Sequence, residues 1–202
     1  PDTEPGYRRS GSWYKKILKL SSKKSGSTYQ LYFEGVNISS TIYLNGTKVG
    51  EHIGGYIGFT IDVSNEIKKG NNELMVYVNN GYDPEIIPSQ KSDFFIYGGI
   101  TRDVYLVSLP SQHIKNIKIT TPDVSELNAS VVVNFDITQK IKNDLRVRAT
   151  LNDMTGSQVI SKIFDITKNK SIIQFDSISN PNLWDTKSPY LYKLIFELID
   201  NG

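Results

Sequence analysis

Apolar and polar residues alternate with a period of two along most of this chain, and that period predicts strands, because successive side chains of a strand face opposite ways. In residues 73–80, Leu74, Val76 and Val78 fall on one face. Leu31 and Phe33 alternate with Tyr32 and Glu34 in residues 29–36. Later, Val131, Val133, Phe135 and Ile137 form one row, Leu145, Val147, Ala149 and Leu151 a second, and Tyr192, Leu194, Phe196 and Leu198 a third. Residues 13–20, 59–63, 104–107, 159–166 and 171–175, with the pair Ile117 and Ile119, read as further strands. No segment carries a helical period longer than about three turns. Short alternating strands, broken by turns every ten residues or so, predict an all-β chain built of sandwiches.

Turn chemistry sharpens the picture. Asn45-Gly46, between residues 41–44 and 47–50, predicts a two-residue hairpin turn with positive φ at both central positions. That register pairs Leu44 with Thr47 and Ile42 with Val49, and it puts Ile42, Leu44 and Val49 on one face. Residues 64–70 read as a turn or a single helical turn, with Ser64 as a cap and Gly70 as a stop. The segment Leu109-Pro110-Ser111-Gln112 breaks the pattern, so the expected domains are residues 1–110 and 111–202.

Composition adds mostly exclusions. A chain of 202 residues with 38% hydrophobic and 11% aromatic content has enough apolar matter for two cores of about 100 residues each. A net charge of +2 argues against a nucleic-acid partner, and no apolar run approaches the length of a membrane span. Cysteine is absent and only His52 and His113 are present, so thiolate and histidine-based metal centres are not expected, and nothing points to a cofactor. His52 is read as a loop or surface histidine. Sequons at Asn37, Asn128 and Asn169 matter only in a secretory context.

Candidate chemistry concentrates in residues 93–106. Asp93 opens this stretch beside Phe94-Phe95-Ile96-Tyr97, followed by Gly98-Gly99, Arg102-Asp103 and the strand from Val104. A carboxylate beside an aromatic wall is one way to bind sugar hydroxyls. The competing interpretation is a loop leading into a core strand, with Arg102 and Asp103 as an ion pair. Trp184, in Pro181-Asn182-Leu183-Trp184, is expected to be structural and to plug the end of the second sandwich, with Pro181 and Pro189 fixing the loop.

These segments, in this order, resemble family 2 of the glycoside hydrolases, which includes β-galactosidases, β-glucuronidases and β-mannosidases. The resemblance rests on Gly11-Ser12-Trp13-Tyr14-Lys15-Lys16, on Leu31-Tyr32-Phe33-Glu34-Gly35-Val36, on the Asn45-Gly46 hairpin with Gly54-Gly55-Tyr56, and on residues 93–104. In the second half, residues 180–194 match the family's Pro-x-Leu-Trp…Pro-x-Leu-Tyr-x-Leu signature. The resemblance implies a jelly-roll, galactose-binding-like sugar-binding domain over residues 1–110, expected to be truncated at its N-terminus, and an immunoglobulin-like β-sandwich over residues 111–202. It further implies that the chain is the non-catalytic front part of a retaining glycosidase, β-galactosidase-like in kind, whose two carboxylates lie on a (β/α)₈ barrel outside this chain. The implied partner is a carbohydrate substrate, shared with that barrel. One family residue carries over: Asp93, as a contact to substrate hydroxyls. Arg102 matches a family arginine with a structural role. The alternative is a free-standing carbohydrate-binding or adhesion module.

Overall fold

A computed structural model of the protein describes residues 8–87, 95–138 and 145–199. The chain divides into two compact units, residues 1–110 and 111–202, and every regular element described is a strand.

The first unit contains β1 (Gly11–Leu20), β2 (Thr28–Phe33), β3 (Val36–Asn37), β4 (Ser39–Leu44), β5 (Thr47–Ile53), β6 (Phe59–Asp62), β7 (Gly70–Asn79), β8 (Gly99–Ile100) and β9 (Val104–Leu109). Two antiparallel sheets, ordered β1-β7-β4-β5 and β6-β2-β9, turn their apolar rows toward each other. Leu31 and Phe33 from β2 meet Ile42 and Leu44 from β4, and Leu74, Val76 and Val78 from β7, in one buried core. Burying each such side chain contributes roughly 1.5–3 kcal/mol, which sets the register of every strand that carries one. The small ladder β3-β8 pairs Asn37 with Gly99 at one end of this sandwich.

The Asn45-Gly46 turn has the expected geometry, with φ of 52° and 85° and Leu44 opposite Thr47. Beyond it the expected register fails. A bulge follows Tyr43–Lys48, so Ile42 lies opposite Gly50 rather than Val49. The reason is packing. A Cβ at position 50 would stand 2.7 Å from Ile61 Cδ1, so the glycine leaves room for Ile61 while Val49 still packs on the core. Residues 64–66 form a turn and no helix; the Ser64 hydroxyl, rather than capping one, accepts from the Tyr29 amide at 2.9 Å.

The second unit contains β10 (Ile114–Thr120), β11 (Asn128–Ile137), β12 (Arg146–Asn152), β13 (Gln158–Asp165), β14 (Lys170–Ser179) and β15 (Lys193–Ile199). Its sheets, β10-β11-β14 and β13-β12-β15, enclose a core of Val133, Phe135, Val147, Ala149 and Phe175, with Phe196 packed edge-on against Phe135. Trp184 does not plug this sandwich. It is 56% exposed and stands on the rim of an apolar groove of 580 Å³, lined also by Ile119, Val124, Leu183 and Leu191.

Candidate functional site

Asp93 and Phe94 lie outside the described residues. The site is therefore built from the segment that leaves them. Phe95 and Tyr97 are exposed, with their rings 5.7 Å apart, while Ile96 between them is buried. This out-in-out pattern makes Ile96 an anchor and turns two aromatic faces to solvent.

Two buried asparagines grip that segment. Asn80 is 3% exposed; its Nδ2 donates to the Ile96 carbonyl at 3.0 Å and to the Arg8 carbonyl at 3.3 Å, and its Oδ1 accepts from the Ser10 amide at 3.0 Å. Asn37 is 2% exposed, and its Nδ2 donates to the Tyr97 carbonyl at 2.6 Å. A buried amide is tolerated only when it is hydrogen-bonded, and both meet that condition. Glycines make the room. A Cβ at Gly98 would stand 2.6 Å from Asn80 Cγ, and one at Gly55 would overlap Asn37 Oδ1.

Through Asn37 three segments meet: residues 35–38, 53–57 and 95–102. The Gly54 amide donates to the Ile38 carbonyl at 2.8 Å, and the Thr101 amide to the Gly35 carbonyl at 3.1 Å. Tyr56 and Ile57 are exposed on the middle segment. Arg102 is exposed with its stem beside Gly35, while the Asp103 carboxylate accepts from the Tyr105 hydroxyl at 3.2 Å. The ion pair of the competing interpretation, between Arg102 and Asp103, is not formed. The charges of Asp103 and then Glu34 raise the Tyr105 pKa above its ordinary value, so its phenol stays protonated. His52 is a strand residue, not a loop one, and its ring stacks on Phe59 at 4.0 Å.

The rim thus offers aromatic faces, which suit the C–H faces of a sugar ring, and polar groups at their edge. Among the described residues no group of three or more His, Cys, Asp or Glu could hold a metal ion. A cleft of 310 Å³, lined from β1, β2, β7 and β9 by Leu18, Phe33, Leu74, Val76 and Val104 among others, is mostly apolar and borders the core. Asn37 and Asn80 were not anticipated as members of the site. A signal for Asn80 existed: it continues the inward row Leu74-Val76-Val78, so the period of two already placed a polar side chain on the buried face.

Comparison with known proteins agrees with this architecture. The model of the glycosyl hydrolases family 2 sugar binding domain matches residues 2–110, and the glycosyl hydrolases family 2 model matches residues 112–202. A Formosa agariphila protein whose β-glucuronidase name is provisional is 54% identical over 100% of the chain, which covers 24% of that protein. A β-galactosidase of Thermoanaerobacter pseudethanolicus is 32% identical over 93% of the chain, which covers 26% of it. The crystal structure of a Bacteroides uniformis β-glucuronidase superposes with a TM-score of 0.87 at 28% identity, over 98% of this chain and 25% of that one. The chain therefore spans about a quarter of the length of these relatives.

Proposed function

Because the chain belongs to glycosyl hydrolase family 2, we propose that it serves a β-glycosidase as the part that carries the substrate rim but not the reacting carboxylates. The substrate class is a β-galactoside or β-glucuronide, in line with the names of the relatives. The observation that supports this best is the coincidence of two things. Both halves match models of one family, and the exposed aromatic rim of the first unit lies at the segment that follows Asp93. In this proposal Asp93 accepts hydrogen bonds from substrate hydroxyls, Phe95 and Tyr97 shape the wall beside it, and the second unit links the rim to the catalytic part. Retaining hydrolysis needs two carboxyls about 5 Å apart across the scissile bond. The proposal assigns both to polypeptide outside these residues.

The test is turnover of nitrophenyl β-galactoside and β-glucuronide, by this chain alone and by the full-length protein that contains it. Turnover of one of the two by the longer protein, and of neither by this chain, is the expected result. Micromolar binding of a simple sugar by this chain, with no hydrolysis by the longer one, would point instead to a free-standing carbohydrate-binding module.

A further inference from the structure

We propose that the cavity beside Gly98 and Gly99 is an oxyanion subsite, in which Arg8 binds a carboxylate or sulfate group on a sugar of the substrate; this rests on the functional reading above. The cavity measures 80 Å³ and is lined by Arg8, Ser10, Ser12, Val78, Asn80 and the two glycines. A water molecule takes about 30 Å³ in the liquid, so the space is too small for a sugar ring and suits one small polar group.

The chemistry of the lining selects that group. Arg8 is the charged residue among the seven. Its Nε donates to the Ser10 hydroxyl and its Nη2 to the Gly11 carbonyl at 3.3 Å. A guanidinium has more N–H donors than those two bonds use. The Ser10 oxygen accepts from Arg8, which leaves its own proton to donate, and Ser12 adds a second hydroxyl. Asn80 is already engaged: its Nδ2 donates to the Ile96 and Arg8 carbonyls, and its Oδ1 accepts from the Ser10 amide. The lining therefore offers a positive charge and donors, with no carboxylate of its own. A neutral hydroxyl, itself a donor, gains least from such a lining; an oxyanion, which only accepts, gains most. Arg8 is exposed, so an anion reaches it without opening the fold. Asn80 holds the Arg8 and Ile96 carbonyls together, and the two glycines follow directly on Tyr97. The charge thus adjoins the aromatic faces proposed to receive sugar rings.

The experiment is titration calorimetry of the full-length protein that contains this chain, with methyl β-glucuronide, methyl 6-sulfo-β-galactoside and the uncharged methyl β-galactoside. Arg8→Ala is compared with Lys15→Ala, an exposed cation on β1 that pairs with Glu73 outside the cavity. One or both anionic sugars should bind Arg8→Ala about tenfold or more weakly than the native protein. The uncharged sugar should change by less than about twofold, and Lys15→Ala should change none of the three. Whichever anion loses affinity identifies the group. Arg8→Lys keeps the charge but not the planar fork and should recover part of the loss. Should Arg8→Ala fail to fold, Ser12→Val fills the cavity with the guanidinium in place and is expected to give the same loss. Equal losses for charged and uncharged sugars, no loss in Arg8→Ala, or a native protein that binds neither anionic sugar overturns the proposal. The functional reading is decided separately, by turnover of the nitrophenyl glycosides. Arg8-dependent anion binding in a protein that hydrolyses neither keeps the subsite and ends that reading; turnover without such binding keeps the reading and ends the subsite.

Discussion

Asn45, the first residue of the hairpin turn, donates its Nδ2 to Oδ1 of the buried Asn72 at 2.9 Å, so the turn between β4 and β5 is tied to the start of β7. Asn45 Nδ2 also reaches the Glu66 carbonyl at 2.8 Å, and its Oδ1 accepts from the Glu73 amide at 3.1 Å. Asn72 in turn holds the Lys68 amide and carbonyl at 2.8 and 2.7 Å. The turn residue thus has two functions: a left-handed backbone and a set of tertiary hydrogen bonds.

Those two functions can be separated. Asn45→Gly keeps the positive φ available and removes the hydrogen bonds, so its cost is that of buried groups left unpaired, about 1–3 kcal/mol. Gly46→Ala keeps the hydrogen bonds and meets nothing within 4 Å, so its cost is backbone alone at φ of 85°, about 1–2 kcal/mol. The expected order in urea denaturation is Asn45→Gly at least as damaging as Gly46→Ala. A neutral Asn45→Gly would show that the tertiary bonds contribute nothing.

The alternation that located the strands was legible because burial on one face imposes a period of two on every strand that spans a core. Rows such as Val131-Val133-Phe135-Ile137 are buried throughout in the structure. What was not legible has a common cause. The bulge that sets Ile42 against Gly50 is decided by Ile61, a residue on another sheet. The grip of Asn37 on the Tyr97 carbonyl joins positions sixty apart in sequence. The exposure of Trp184 depends on what the sheets leave uncovered, and no local pattern encodes that. For the site, residues 93–104 drew attention as a stretch, but the asparagines beneath it did not: Asn80 was marked only by its place in the inward row Leu74-Val76-Val78, and Asn37 by nothing local.

Trp184 supplies a second prediction. Because more than half of its surface is exposed and it lines an open groove, Trp184→Ala in this chain should lower stability by less than about 1.5 kcal/mol, well short of the 3–5 kcal/mol typical of a core tryptophan. Phe135→Ala, in the core of the same unit, should reach that higher range. Chemical denaturation of the two variants side by side checks this, and equal losses would restore Trp184 as a plug.

Asp153 governs the turn between β12 and β13. Its Oδ1 accepts from the Thr155 amide and hydroxyl and from the Ser157 amide at 2.7–2.9 Å. Hydrogen bonding, first from the Thr155 side chain, lowers its pKa below the ordinary 3.8. A lowered carboxylate pKa contributes stability above the unfolded value and loses it as pH falls through the folded one. The difference in Tm between the native protein and Asp153→Asn should therefore be constant at neutral pH and shrink below pH 3.8. A difference independent of pH would mean that the charge is not what the turn uses.

The final prediction concerns Asp93. Downstream of it, Ile96 is buried and the carbonyls of Ile96 and Tyr97 are held by Asn80 and Asn37. A hydrogen bond from a substrate hydroxyl to a charged acceptor is worth roughly 1.5–3 kcal/mol, which corresponds to one to two decades in rate. If Asp93 has the proposed role, Asp93→Ala in the full-length protein should lower kcat/KM by about that factor while leaving Tm nearly unchanged. Asp93→Asn keeps the size and removes the charge, so it should retain part of the loss: an amide still accepts a hydrogen bond, but a weaker one. The two variants together separate contact from support. If Asp93→Ala lowers Tm by several degrees and Asp93→Asn restores it without restoring activity, the carboxylate supports the loop. If both leave Tm in place and activity falls in the order native, Asn, Ala, it binds the sugar.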